Sequence, residues 1–286
     1  MKLVKFAPLG GKESVGLLEG EQILPLASTG GQYQTLTDIL EADDPAALVE
    51  LLFDQSGERV PLHAVALLAP VDQQEIWAAG VTYIRSRKAR MDESQGAAVF
   101  YDKVYEAPRP ELFFKANAYR AVGPDRPVRI RHDAAWNVPE PELALVLNSH
   151  MKLVGFTVGN DMSSRDIEGE NPLYLPQAKV YDQSCALGPC ITLLDAMPPR
   201  EQIGIHMAVI REHAIAFEGE TNVGQMARTF EDLIDYLSRD NTFRYGVCLL
   251  TGTGVVPSDD FTLRPGDIIN ITIDGIGTLV NSVIQE

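Results

Sequence analysis

The stretch that decides the fold runs from Glu140 to Asp161 and reads EPELALVLNSHMKLVGFTVGND. It holds two apolar runs of strand length, at residues 143–147 and 153–158, separated by a polar turn. Runs of this length and composition, bounded by turn residues, are typical of buried strands. The stretch therefore predicts two buried strands with acidic residues at their ends.

Short β-like runs continue on either side of this stretch. They occur at residues 128–130, 190–194, 206–210, 248–250 and 268–273. One clear helix interrupts them and begins at Thr229, whose side chain suits the N-cap position. A βαβ arrangement would need a helix between most of the strands. The pattern from Glu75 onwards instead predicts an α+β, β-rich fold with few helices.

The first seventy residues have a different, mixed pattern. Strand candidates at residues 3–6, 14–18 and 22–26 precede a helix that begins at Asp44-Pro45. We therefore predict a small α+β N-terminal domain over residues 1–70 and a larger β-rich domain over residues 71–286.

Charge and composition exclude several classes of function. The chain has 286 residues and a formal net charge of −16, so nucleic acid and anionic membranes are not expected partners. No apolar run approaches the roughly 20 residues of a membrane span. Three cysteines without metal-type spacing argue against a disulfide framework or a zinc site. We expect a cytoplasmic protein.

Three acidic residues could form a metal site. Glu140 and Glu142 lie two apart at the start of an apolar run, so their side chains would project from one face of a strand. Asp161 follows the second run and could complete an oxygen-rich set, which suits Mg²⁺. The alternatives are a solvated acidic strand end for the two glutamates and an Asx turn or helix N-cap for Asp161.

Three further residues could take part in chemistry. Lys179 could carry a proton or stabilise an enolate, or it could lie on the surface. Thr253 belongs to the sequence TGTG, which suits either the close approach of an anion or a tight turn. Glu111 precedes an aromatic run and could instead be an exposed charge at a strand edge.

The order of these motifs along the chain resembles that of the fumarylacetoacetate hydrolase superfamily. The matching motifs are ExE at 140–142, GFTVGND at 155–161, SxRD at 163–166, KxxD at 179–182, GP at 188–189, TGT at 251–253 and LxPGD at 263–267. Together they cover roughly residues 75 to 286. The resemblance implies a mixed β-sandwich roll behind the small N-terminal domain, a homodimer or higher homo-oligomer, and bound Mg²⁺ or Mn²⁺.

The resemblance also implies roles for individual residues. Glu140, Glu142 and Asp161 match the metal ligands of the family. Lys179 matches its active-site lysine, and Thr253 matches the residue that holds the carboxylate or keto end of the substrate. The implied partner is a small-molecule 2-keto acid.

One departure selects a branch of the family. Its C–C bond hydrolases carry a histidine shortly after a Gly-x-Asn-Tyr motif, whereas residues 80–87 here read GVTYIRSR, with Ser86 where histidine is expected. This pattern, together with Glu111, resembles the sugar-acid dehydratases. It implies dehydration of a 2-keto-3-deoxy sugar acid, 2-keto-3-deoxy-D-arabinonate or a related pentonate, to 2-oxoglutarate semialdehyde. Glu111 and Lys179 would be the acid–base pair, in either order.

Four residues besides Thr253 are predicted to bind substrate: Tyr83, Arg85, Ser86 and Arg165. Arg85 is the first of four cationic side chains that fall within six residues, in a chain that is acidic as a whole. Such a cluster could anchor a carboxylate or a hydroxyl-bearing substrate. It could also pair with the acidic surface at little energetic gain.

Three other interpretations are compatible with the motifs. The protein could be an acylpyruvate or diketone hydrolase in which Glu111 or Glu168 activates water. It could be a decarboxylase or tautomerase of a 2-keto acid, because the same metal chelate stabilises that enolate. It could also be a metal-binding or interaction protein that has lost activity on this fold.

Overall fold

The computed structural model describes residues 1–8, 10–26, 33–52, 57–84 and 107–286. Within these ranges the strands form sheets of twelve, five and two strands. In chain order the strands are β1 (Lys2–Pro8), β2 (Ser14–Glu19), β3 (Gln22–Pro25), β4 (Val60–Pro61), β5 (Val65–Leu67), β6 (Glu75–Gly80), β7 (Glu111–Asn117), β8 (Ala121–Val122), β9 (Val128–Arg129), β10 (Asn137–Val138), β11 (Pro141–Leu147), β12 (Leu153–Asp161), β13 (Ser163–Ser164), β14 (Cys185–Leu193), β15 (Gly204–Arg211), β16 (Ala214–Asn222), β17 (Val247–Leu250), β18 (Ile268–Ile273) and β19 (Gly277–Ile284).

The α-helices of the described residues are few and short. They are α1 (Leu36–Leu40), α2 (Pro45–Leu52), α3 (Arg165–Glu170), α4 (Leu175–Lys179) and α5 (Phe230–Ser238). As predicted, the Thr229 hydroxyl caps α5 by accepting the amide of Asp232 at 3.1 Å. Among these helices there is none with the length and apolar character that a bilayer crossing requires.

The large sheet is mixed, and β11 lies well inside it. Its main order is β4-β3-β2-β1-β14-β12-β11-β17-β6-β7, with β5 on β1 and β8 on β14. β11 pairs antiparallel with β12 and with β17, and β17 pairs in parallel with β6. All of β11 is buried. The prediction of two buried strands in this stretch is therefore confirmed.

Two hydrophobic cores cover the two faces of β11. Leu143, Leu145 and Leu147 belong to a core shared with the five-stranded sheet β16-β15-β18-β19-β9. Ala144 and Val146 belong to a second core that includes residues of α1 and α2. Successive side chains of a strand point to opposite faces, so β11 is packed from both sides. This arrangement confirms the predicted α+β, β-rich sandwich roll.

The N-terminal strand β1 is joined to the rest of the chain by backbone hydrogen bonds. β1 pairs antiparallel with β14, with Lys2 opposite Thr192 and Leu3 opposite Ile191. Through this pairing, β1 to β4 extend the large sheet. The division of the chain into domains at residue 70 stays a prediction.

Candidate active site

The acidic residues predicted to bind a metal meet at one end of the strand pair β11–β12. The antiparallel register places Pro141 opposite Asn160, and the amide of Asp161 donates to the carbonyl of Glu140 at 3.0 Å. One carboxylate oxygen from each of Glu140, Glu142 and Asp161 lies within 4.8 Å of the other two, and all three residues are buried. The structure therefore brings together the three acids that the spacing singled out.

Three buried cations lie against these acids. Lys179 Nζ lies 2.7 Å from Glu140 Oε2 and 3.1 Å from Asp161 Oδ2. Arg165 Nη2 lies 2.9 Å from Glu140 Oε1, and Lys115 Nζ lies 2.5 Å from Asp161 Oδ1. Because an uncompensated charge is costly away from water, these contacts allow the carboxylates to be buried.

A backbone amide binds the third acid. The N–H of Gly252 donates to Oε2 of Glu142 at 2.6 Å. Burial and the neighbouring negative charges of Asp161 and Glu140 raise the pKa of Glu142 well above its usual 4.5, against the opposing effect of Lys179. A divalent cation would relieve this repulsion, and an all-oxygen, carboxylate-rich set of donors fits Mg²⁺ or Mn²⁺.

A cavity opens onto the acidic cluster. Besides the three acids, its walls include Glu111, Phe113, Glu168, Lys179, Gly252 and Thr253. Lys179 is the last residue of α4, and its ammonium also lies over the ring of Phe113, 5.8 Å from the centroid. Both residues predicted as the acid–base pair therefore face the same space.

The position of Glu111 depends on a glycine in the neighbouring strand. Glu111 lies opposite Gly80 in the β6–β7 pair. A Cβ at position 80 would lie 2.1 Å from Oε2 of Glu111. The missing side chain therefore lets the carboxylate lie across the backbone of β6.

The loop after β17 carries Thr253 to the cavity wall. The Thr253 hydroxyl accepts the amide of Val255 at 3.1 Å and lies 3.2 Å from the carbonyl of the same residue. Gly252 has φ of +91°, and a Cβ there would lie 2.0 Å from Oγ1 of Thr82. Glycine is needed for this turn, which also aims the Gly252 amide at Glu142.

Tyr83 and Arg165 were also predicted to bind substrate, and neither is among the described residues that line the cavity. They are 1% and 2% exposed. Arg165 instead contacts Glu140. A direct contact of either residue with substrate stays a prediction. Arg85 and Ser86 lie outside the described residues.

Two further residues belong to the site. No role was predicted for Lys115, although a lone lysine inside the run LFFKA was a signal that could have found it. From the sequence, Glu168 is a candidate for water activation in a hydrolase and belongs to a stretch that could face substrate. It is 4% exposed, lines the cavity and accepts the hydroxyl of Ser163 at 2.7 Å.

Replacing Glu142 by glutamine should stabilise the metal-free protein. The change removes a buried negative charge and keeps an oxygen for the amide of Gly252. The pKa of Glu142 is raised in the folded protein, so the folded state holds the proton of this carboxyl more tightly than the unfolded state does. Wild type therefore loses stability as the pH rises above about 4.5, where the unfolded state releases that proton. In EDTA, the melting temperature of Glu142→Gln should exceed that of wild type by an amount that grows as the pH rises above about 4.5.

The same substitution should remove the stabilisation by metal. Mn²⁺ at about 100 times its Kd should contribute about 2.7 kcal/mol to wild type, which is a shift of several degrees in melting temperature. Glu142→Gln should show no such shift, whereas a control change at the exposed Glu218, Glu218→Gln, should behave as wild type. Equal stabilisation of Glu142→Gln by Mn²⁺ would show that Glu142 is not a ligand.

Comparison with known proteins is consistent with this geometry. Residues 75–284 match the family Fumarylacetoacetate (FAA) hydrolase C-terminal, and residues 1–70 match Rv2993c-like, N-terminal. The probable 2-keto-3-deoxyxylonate dehydratase of Haloferax volcanii is 49% identical over 75% of this chain and 73% of that protein. The 2-dehydro-3-deoxy-D-arabinonate dehydratase of Saccharolobus solfataricus is 38% identical over 93% of this chain and 83% of that protein.

A solved structure covers the whole chain. The 2-keto-3-deoxy-D-arabinonate dehydratase complexed with magnesium and 2,5-dioxopentanoate superimposes with a TM-score of 0.84 at 34% identity, covering 100% of this chain and 99% of that chain. The resemblance drawn from the motifs is thereby confirmed. The chain belongs to the fumarylacetoacetate hydrolase family.

Proposed function

We propose that this protein is a Mg²⁺-dependent dehydratase of a 2-keto-3-deoxy sugar acid, 2-keto-3-deoxy-D-arabinonate or a related pentonate. The observation that carries the proposal is the buried acidic cluster opening onto a cavity lined by Glu111 and Lys179. Relatives that span most of the chain are dehydratases of this class of substrate, which supports the same reaction here.

The reaction is an elimination of water that balances without a co-reactant. A proton leaves C3 and hydroxide leaves C4, which gives an unsaturated 2-keto acid with a hydroxyl at C5. Tautomerisation then moves one proton from C5 and one from its hydroxyl to C3 and C4. The product is 2-oxoglutarate semialdehyde, the compound also called 2,5-dioxopentanoate, which occupies the related magnesium-bound structure.

Glu140, Glu142 and Asp161 would hold the metal ion. Bound there, Mg²⁺ would polarise the 2-keto group and stabilise the negative charge that develops on its oxygen when C3 loses a proton. The magnesium of the related dehydratase structure supports this assignment.

Glu111 and Lys179 act as the acid–base pair in this proposal. One takes the proton from C3 and the other gives a proton to the departing C4 hydroxyl. Thr253, on the same cavity wall, holds the carboxylate or keto end of the substrate. All five histidines lie within the described residues and none lines the cavity, which favours dehydration over the histidine-assisted hydrolysis of related C–C hydrolases.

We also propose that the protein acts in the cytoplasm as a homodimer or higher homo-oligomer. Its three cysteines are free and buried, which suits a reducing compartment. The oligomer follows from the family resemblance.

The purified protein with Mg²⁺ should form a semialdehyde from a 2-keto-3-deoxypentonate. Trapping the aldehyde as a hydrazone and identifying it by mass spectrometry measures the product. EDTA should abolish the reaction and Mg²⁺ should restore it. Pyruvate release from acylpyruvates without any semialdehyde, or full turnover after removal of metal, would contradict the proposal.

Isotope exchange should separate the roles of Glu111 and Lys179. In D₂O, the variant that lacks the base should lose both elimination and exchange of the C3 protons, because no group takes the proton. The variant that lacks the acid should still exchange at C3 while elimination is lost. Proton NMR of Glu111→Gln and Lys179→Met gives both rates, and normal elimination by either variant would exclude that residue from the pair.

A methyl group at position 80 should disturb Glu111 without touching the metal. Because a Cβ there would meet the carboxylate of Glu111, Gly80→Ala should lower kcat about 100-fold, as misplacement of a reacting group by about 1 Å can. Stabilisation by Mn²⁺ should stay as in wild type. The double variant with Glu111→Gln should be no slower than Glu111→Gln alone, and an additive loss would refute this mechanism.

A further inference from the structure

We propose that Lys115 is a positioning residue that orients Asp161 and fixes the backbone of Lys179 with a single ammonium group. The inference rests on the proposed function for what Lys179 does. Lys115 is fully buried and is not among the described residues that line the cavity. It therefore acts through its partners rather than on the substrate.

The ammonium of Lys115 contacts three oxygens, one as an ion pair and two as hydrogen-bond acceptors. Nζ lies 2.5 Å from Oδ1 of Asp161 and donates to the carbonyls of Met162 at 2.9 Å and Lys179 at 2.5 Å. The three oxygens belong to the last residue of β12, to the residue after it and to the end of α4. One side chain on β7 thus ties together the two segments that carry the acidic cluster and Lys179.

The backbone of β7 is irregular at this residue. Trp77 lies opposite Phe114 and Ile76 lies opposite Ala116, so Lys115 is the extra residue of a β-bulge. Bulges re-aim side chains and are common beside active sites. Among the described strands β7 pairs with β6 alone, so the bulge turns the side chain of Lys115 inward from the edge of the large sheet.

The two carboxylate oxygens of Asp161 contact different lysines. Oδ1 forms an ion pair with Lys115, whereas Oδ2 forms one with Lys179, which lines the cavity. The carbonyl of Lys179 also accepts the hydroxyl of Ser184 at 2.9 Å. Lys115 would therefore leave Oδ2 of Asp161 to a bound cation, and it fixes where the side chain of Lys179 begins.

Charge and positioning predict opposite effects when this lysine is removed. If Lys115 acted only as a positive charge, its loss would strengthen the attraction of the acidic cluster for a divalent cation. If it holds Asp161 in place, its loss weakens metal binding. The direction of the change in Mn²⁺ affinity therefore separates the two roles.

The experiment measures Mn²⁺ binding to Lys115→Met by electron paramagnetic resonance, without substrate. We expect the Kd to rise about 10- to 100-fold, the usual effect of losing a partner of a metal ligand. At saturating Mn²⁺ and substrate, kcat should stay low with little change in KM, because metal does not restore the position of Lys179. Unchanged or tighter Mn²⁺ binding would overturn the proposal.

Lys5→Met is the matched control. Like Lys115, Lys5 contacts three oxygens, here those of two carboxylates and one carbonyl, with Nζ 2.9 Å from Glu13, 3.0 Å from Asp72 and 3.0 Å from the carbonyl of Val71. Its loss should lower stability without changing the Kd for Mn²⁺ or kcat. An equal rise in the Kd for Mn²⁺ in Lys5→Met would show that general loss of stability explains the effect at Lys115, and it would overturn the proposal.

Two further variants keep the proposal testable. In an Asp161→Asn background, Lys115→Met should add little to the Kd, because the two residues act together; full additivity would overturn the proposal. If Lys115→Met does not fold, Lys115→Arg replaces it. This variant keeps the positive charge but replaces the single nitrogen by a guanidinium group. Mn²⁺ binding and turnover equal to those of wild type would then overturn the proposal.

Failure of wild type to dehydrate the sugar acids would refute the proposed function and leave the Mn²⁺ comparison valid.

Discussion

The carboxylates of Glu140, Glu142 and Asp161 repel one another in a place where water cannot screen them. The surrounding structure holds them there despite this repulsion. Each face of β11 is covered by a hydrophobic core. This strand carries Glu142 and directly follows Glu140, so it cannot shift away from Asp161 without loss of packing. The fold therefore keeps the three carboxylates close enough to repel one another, and a bound divalent cation would reduce this repulsion.

The cations of the site are not interchangeable. Arg165 and Lys179 share Glu140, while Lys115 and Lys179 share Asp161. Lys179 thus bridges two acids and is the one of these three cations that also faces the cavity. This division separates the groups that balance charge from the group available to a substrate.

Much of the site could be predicted because the residues that form the acidic cluster lie at the ends of two apolar runs that can be read directly from the sequence. The two-residue spacing of Glu140 and Glu142 fixes their common face, and the apolar run before Asp161 fixes the strand that it ends. The contact of Lys115 with Asp161 could not be predicted, because it depends on a bulge set by the pairing of β7 with β6. The burial of Arg165 against Glu140 likewise depends on chain segments that meet only in three dimensions.

The pairing of β1 with β14 has a consequence for how the chain can be shortened. β14 lies between β1 and β12 in the large sheet, so removal of β1 would leave the N–H and C=O groups near Thr192 without their partners. An open edge of this kind is a template for association with other chains. A chain shortened by removal of β1 would then be prone to aggregate. The first strand therefore protects the edge of β14 from pairing with other chains, besides being part of the sheet.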